Sequence, residues 1–308
     1  MNFFSNISPL NRSGLLLTAG LFIFGFGDNL IILISDQVSV GQFHFSRSII
    51  ACLVILIIAS IKGEQLLPKH WKSVLVRTFF NVVAMLLYFG VIPMMPIAEA
   101  GAGLFTSPIF VLFFSFLFFK EKITLRQIIS FFIGILGVFL ILGTNFSSLT
   151  LYHIFPVLAG ACYALGAITT NRYCSDEKPL VLLFCFLISI GIVGLLVTIW
   201  FTYNPVDEFY LTQAPFIYRS WQQTNTFYWL IIAFLGISAT IAIYLIITAY
   251  QICTPSYSSI YEYTYLLSVG FFAWLIWGSI PSFWSLIGII AIIAAGTNIA
   301  LSKPQINE

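Results

Sequence analysis

Charged side chains are scarce in this chain. Asp, Glu, Lys and Arg make up only 8% of its 308 residues, whereas about 25% is usual in soluble proteins. Hydrophobic residues make up 60%, so too few polar residues remain to cover a soluble globule of this size. The composition therefore excludes an ordinary soluble domain and predicts a protein embedded in lipid.

Residues that could carry catalysis or hold a cofactor are also few. The three histidines lie far apart in the sequence, at 44, 70 and 153, and the five cysteines are odd in number. No glycine-rich loop of the G-x-x-x-x-G-K-[ST] kind is present, and the basic residues are scattered. We therefore expect no ATP hydrolysis, no cofactor or metal site, no disulfide framework and no nucleic-acid partner.

What the chain does have is a series of apolar runs, each long enough to cross a hydrocarbon core of roughly 30 Å. Short connectors separate them, so neighbouring helices are predicted to be antiparallel. Ten transmembrane helices are predicted, at 14–35, 40–61, 74–93, 98–119, 126–143, 152–172, 179–201, 228–249, 256–277 and 283–301.

The distribution of Lys and Arg predicts the orientation of these helices. With both termini in the cytoplasm, one basic residue, Arg219, lies outside and Arg47 falls within a span. Eleven lie on the inner side: Arg12, Lys62, Lys69, Lys72, Arg77, Lys120, Lys122, Arg126, Arg172, Lys178 and Lys303. Because basic residues concentrate in cytoplasmic loops, we expect a multi-pass protein of the cytoplasmic (inner) membrane with both termini inside.

The two halves of the chain resemble each other. The stretch 118–138 and the stretch 276–296 each contain an apolar helix, a short connector and a second apolar helix, with Ser130 matching Gly288 at an offset of 158. Five spans per half would bring the second half in from the opposite face. Such an inverted repeat is typical of secondary transporters.

Several stretches resemble the drug/metabolite transporter superfamily, in particular its ten-helix EamA-type permeases. They are "QFHFSR" (42–47), the long run 92–142 with Glu121 after helix four, and "GSIPSFWSLIGIIAIIAAG" (278–296), in which Ser279 replaces a common glutamate. The resemblance covers roughly residues 14–302. It implies an all-α membrane protein with a cavity between two inverted five-helix repeats, 14–143 and 152–302.

Two ionisable residues are predicted at the same depth in the membrane. Asp28 lies about 20 Å along helix one, and Arg47 about 10 Å into helix two from the other side. They could bind the ammonium and the carboxylate of a substrate, or form a buried salt bridge that joins the two helices. His44 shares a face with Arg47 and could relay protons or form an interhelical hydrogen bond.

Glu262 is the other intramembrane carboxylate, inside "YSSIYEYTYLL". Helical spacing places Ser258 and Tyr265 on its side and Tyr261 beside it. A carboxylate flanked by aromatic faces suits an organic cation. The alternatives are a glutamate that stabilises packing through hydrogen bonds and a proton-coupling site. Glu99, at the start of helix four, is predicted to be a helix cap or a residue of the pore mouth.

These features predict a secondary transporter that works in the lipid bilayer by alternating access. Its predicted substrate is a small zwitterionic or cationic metabolite of the amino-acid, S-adenosylmethionine or amine type, with a proton or a counter-substrate as a further candidate partner. The alternative is a membrane-embedded sensor or enzyme. The sequence offers neither a catalytic cluster nor a soluble output domain for it.

Overall fold

The computed structural model describes residues 8–91, 95, 97–104, 106–142, 151–278 and 282–300. Every regular element in that part of the chain is a helix. Six stretches are long and apolar enough to cross a membrane: α1 Pro9–Ser35, α2 Val40–Lys62, α3 Trp71–Val91, α7 Ile154–Tyr173 with a preceding 3₁₀ turn, α8 Pro179–Tyr203 and α11 Thr226–Ile252. The protein is an all-α membrane protein.

The other predicted spans are shorter or interrupted. They comprise α4 Ile97–Leu104, α5 Ser107–Phe119, α6 Leu125–Leu142, α12 Pro255–Ser258, α13 Thr264–Trp277 and α14 Phe283–Ala300. The segment between α8 and α11 contains two short helices, α9 Glu208–Gln213 and α10 Pro215–Tyr218. Two of the predicted continuous spans, 98–119 and 256–277, are therefore each broken in the structure.

The offset of 158 residues reappears in the bounds of the helices. Adding 158 to the first residue of α4 gives the first residue of α12. Adding 158 to both ends of α6 gives both ends of α14, and adding 158 to the last residue of α5 gives the last residue of α13. Lys120 and Gly278, which cap α5 and α13, also correspond, and both have left-handed backbone conformations with φ of 51° and 68°. The two helices therefore end in the same left-handed C-cap conformation, with a lysine in one half and a glycine in the other.

Helices pack across the two halves in a pattern consistent with this correspondence. The most extensive contacts join α6 with α14, α3 with α7, α1 with α11 and α2 with α8. If each helix is replaced by its counterpart in the other half, the pair of α3 with α7 becomes the pair of α11 with α1. The pairs of α2 with α8 and of α6 with α14 become themselves. Small residues allow the close crossings: a Cβ on Gly41 of α2 would stand 2.5 Å from the Gly194 carbonyl oxygen of α8.

Candidate functional site

The two interrupted helices meet in the interior of the protein. In the first half, α4 is described to Leu104, and Thr106 forms a turn before α5 begins at Ser107. In the second, a 3₁₀ segment, Ser259–Tyr263, separates α12 from α13. A 3₁₀ stretch within a longer helix often marks a hinge. Interrupted helices at corresponding positions of two repeats are also the usual sign of a transport site.

Glu262 joins these two interruptions. Its side chain is completely buried, and its two carboxylate oxygens accept hydrogen bonds from the Ser107 and Tyr250 hydroxyls. Ser107 begins α5, and Tyr250 lies near the end of α11. The carboxylate therefore connects three separate elements, two from the second half and one from the first.

The predicted arrangement around Glu262 needs correction, because it assumed an unbroken α-helix. A 3₁₀ turn has three residues rather than 3.6, so side chains across the segment point in different directions from those predicted. Ser258 Oγ lies 2.8 Å from Ser13 Oγ, and the Tyr265 hydroxyl donates to Asp28. Tyr261 packs its ring against Gly14 of α1.

A cavity of about 80 Å³ lies between helices of both halves. Its walls are mostly aliphatic and aromatic, with a few polar groups among them. Sixteen described residues line it: Leu21, Phe24, Asp28, Arg47, Arg77, Asn81, Met85, Tyr88, Phe89, Leu104, Tyr163, Phe186, Ile243, Ile246, Ile247 and Tyr265. An apolar cavity with a small number of convergent polar groups is the usual form of a ligand site.

Asp28 is held in the cavity wall by two tyrosines. The Tyr265 hydroxyl donates to its Oδ2 at 2.5 Å, and the Tyr88 hydroxyl lies 3.4 Å from the same atom. The two hydroxyl oxygens are themselves 2.8 Å apart. The carboxylate is therefore fixed in position by hydroxyl groups, and no described Lys, Arg or His nitrogen lies within 4.0 Å of it.

Arg47 lines the same cavity but does not pair with Asp28. No distance of 4.0 Å or less joins a guanidinium nitrogen of Arg47 to a carboxylate oxygen among the residues the structure describes. Arg47 instead lies 3.2 Å from Nδ1 of His44 and packs over the rings of Phe43 and Phe89, at 4.9 and 5.5 Å. The direct salt bridge considered from the sequence is therefore not formed.

Arg77 is one of the basic residues predicted on the inner side. The structure buries it in α3 and places it in the cavity wall. Its Nε donates to Thr170 Oγ1 at 2.9 Å, and another guanidinium nitrogen donates to the Leu182 carbonyl at 3.1 Å. The available signal was its position inside the predicted span 74–93.

The structure thus brings together only some of the predicted site residues. Asp28, Arg47 and Tyr265 lie in the cavity wall. Glu262, Tyr261 and Ser258 are not among the described residues that line it, and His44 contacts two of its lining residues, Arg47 and Phe89. The side chain of Glu99 lies outside the described residues.

Similarity to known proteins agrees with the membrane fold. Residues 12–143 match the EamA-like transporter family. An uncharacterized transporter of Helicobacter pylori is 28% identical, with 90% of this chain and 91% of that protein aligned. The pseudopaline exporter CntI of Pseudomonas aeruginosa is 24% identical over 97% of this chain and 99% of the exporter.

Two further matches extend this picture. A riboflavin transporter of Brucella anthropi is 24% identical, with 78% of this chain and 81% of that protein aligned. A protein of known crystal structure shares the fold with a TM-score of 0.73, at 15% identity, over 94% of this chain and 96% of the other. These similarities support an EamA-type permease of the drug/metabolite transporter superfamily, a secondary transporter rather than an enzyme.

Proposed function

We propose that this permease binds a small zwitterionic or cationic metabolite in the cavity between its halves and moves it across the cytoplasmic membrane. The halves would be the two inverted repeats 14–143 and 152–302. The candidate substrates are of the amino-acid, S-adenosylmethionine or amine type. Relatives are named for pseudopaline and riboflavin, so transport of organic metabolites is the feature they share with this proposal.

One observation carries the choice of substrate: the cavity wall contains a carboxylate and a guanidinium that attract each other electrostatically but are not in direct contact. Asp28 is available to an ammonium group, and Arg47 to a carboxylate. Burying either charge is costly unless a partner compensates it. A zwitterion would compensate both, so we favour zwitterions within the wider class.

Alternating access would use the two interrupted helices. The cavity of about 80 Å³ is small beside the roughly 300–1,000 Å³ of sites for metabolite-sized ligands. Substrate entry therefore requires the helices to move apart. The breaks before Ser107 and Thr264 are the places where α5 and α13 can change direction, as discontinuous helices do at transport sites.

A thermal-shift screen of the purified protein tests this proposal. Amino acids, S-adenosylmethionine and quaternary amines would each be added to wild type and to Arg47→Gln. A ligand at 100 times its Kd stabilises a folded protein by about 2.7 kcal/mol, so binding raises the melting temperature. We expect zwitterions to stabilise wild type and to lose this effect in Arg47→Gln.

Counterflow in liposomes would then show that the bound compound is transported. Amines that stabilise both proteins equally, with zwitterions inactive in both, would contradict the assignment of Arg47 to a carboxylate. Failure of every compound in both assays would contradict the substrate class as a whole.

The orientation proposed from the basic residues has its own test. A single cysteine placed at Gly278 should react with an impermeant thiol reagent added outside intact cells, after the five native cysteines are replaced by serine or alanine. A cysteine at Lys122, the control on the opposite side, should react only after permeabilisation. The reverse labelling pattern would mean that the second half enters from the other face.

A further inference from the structure

Arg77 is a buried cation with no anion beside it among the described residues. Only 3% of its surface is exposed, and it lines the cavity. Within the described part of the chain, no carboxylate oxygen lies within 4.0 Å of its guanidinium. The two acceptors that it does contact, Thr170 and the Leu182 carbonyl, are both neutral. A buried charge in this situation lacks the compensation that buried charges normally have.

Arg77 and Arg47 lie at different depths in the protein. The connector between α2 and α3 provides a common reference, because these helices run in opposite directions from it. Arg77 lies six residues into α3 and Arg47 fifteen residues before the end of α2. At about 1.5 Å per residue, their backbones differ in depth by about 13 Å.

The cavity therefore has charged groups at two depths within largely apolar walls. Arg77 and Asn81 mark one depth, whereas Asp28 and Arg47 mark the other. Most of the other lining side chains are apolar. A molecule that fits this arrangement carries polar groups at both ends of an apolar segment.

The formal charges of the cavity give the sign of these groups. Two guanidiniums and one carboxylate, those of Arg47, Arg77 and Asp28, leave an excess of one positive charge. We infer that the substrate is a zwitterion with two acidic groups and one ammonium group, and that Arg77 binds its second acidic group. This inference rests on the proposed function and narrows it from zwitterions and cations in general to net-anionic amino acids.

A purely structural role would not require a guanidinium at this place. The bonds to Thr170 and Leu182 tie α3 to α7 and α8 and use two of the five N–H donors of the side chain. These two bonds also fix the guanidinium at the cavity wall. Donors remain for a carboxylate, and such charge-assisted bonds are the strong ones.

The test compares acids with their own amides, which have nearly the same shape. Binding of aspartate and asparagine, glutamate and glutamine, and 2-aminoadipate and its side-chain amide would be measured on the purified full-length protein. We expect at least one acid to bind about 10–100-fold more tightly than its amide, because only the acid offers Arg77 a charge. Equal binding of acid and amide in every pair would overturn this inference and leave the proposed function intact.

Variants of Arg77 assign any preference to this residue. In Arg77→Gln we expect the acid to bind no more tightly than its amide. Arg77→Lys should retain part of the preference. Lys122→Gln, an exposed basic residue near the end of α5, is the control and should keep all of it.

The remaining outcomes are also decisive. A preference that persists undiminished in Arg77→Gln would overturn the assignment. If Arg77→Gln does not fold, Arg77→Lys decides together with the wild-type ratio, and an undiminished preference in the lysine variant would count against bidentate binding by Arg77. Absence of binding by both acids and amides would overturn the proposed substrate class, and this inference with it.

Discussion

Replacing Glu262 by alanine is expected to lower the melting temperature of the purified protein sharply. The change removes the common acceptor of the Ser107 and Tyr250 hydroxyls in a completely buried place. Each buried hydroxyl left without a partner costs about 1–3 kcal/mol, and the space vacated by the side chain adds to this. The loss should therefore reach several kcal/mol, a large part of the stability of an ordinary domain.

Three milder changes show whether hydrogen bonding is the cause. Glu262→Gln keeps an acceptor for one hydroxyl, so its melting temperature should fall much less than that of the alanine variant. Tyr250→Phe should be destabilised by about 1 kcal/mol. Tyr263→Phe is the matched control and should be nearly neutral, because its buried hydroxyl has no hydrogen-bond partner among the described residues. Equal losses in both tyrosine variants would contradict this account.

Glu262→Gln also distinguishes the roles predicted for this glutamate. A counter-charge for the substrate would make binding about 5–150-fold weaker in the glutamine variant, whereas a proton site would make exchange independent of pH. Because Glu262 is not among the described residues lining the cavity, we expect substrate affinity to stay within about threefold of wild type. A large loss of substrate affinity in Glu262→Gln, without a loss of stability, would show that Glu262 belongs to the binding site.

Asp28→Asn is expected to weaken binding of an ammonium-bearing substrate strongly while leaving the empty protein almost as stable. Asparagine has the same shape and retains an oxygen that can accept from the Tyr265 hydroxyl. It lacks the negative charge that the substrate ammonium would meet. Loss of a hydrogen bond to a charged group corresponds to about 1.5–3 kcal/mol, or roughly 10–150-fold in Kd. Titration calorimetry or thermal-shift titration measures this directly.

Asp36→Asn provides the control for Asp28→Asn. Asp36 caps the same helix, α1, but is exposed and lies outside the cavity wall. The substitution makes the same chemical change and should leave the affinity as in wild type. Unchanged affinity in Asp28→Asn as well would remove Asp28 from the site. A similar loss in both variants would indicate a long-range effect of charge, which added salt should then reduce.

The class of the protein and much of its organisation follow from the amino-acid sequence alone. Lipid solvates only apolar surface and requires each backbone polar group to be bonded within the protein, so composition alone predicts membrane helices. The offset of 158 residues was visible in Ser130 and Gly288 because similar helices require similar small residues at their close contacts. Asp28 and Arg47 stood out because charges inside apolar spans are costly.

Which of these groups contact each other depends on the tertiary packing of the helices. The interruption at Ser259–Tyr263 changes the directions of the neighbouring side chains, and no local pattern marked its length. The hydrogen-bond partners of Glu262 are the hydroxyls of Ser107 and Tyr250, and Ser107 lies 155 residues away in the sequence. Arg77 looked like a cytoplasmic charge, since its burial depends on α7 and α8 packing over it. Periodicity follows from the chain's own geometry, whereas the composition of a cavity depends on how distant helices pack, which no single helix encodes.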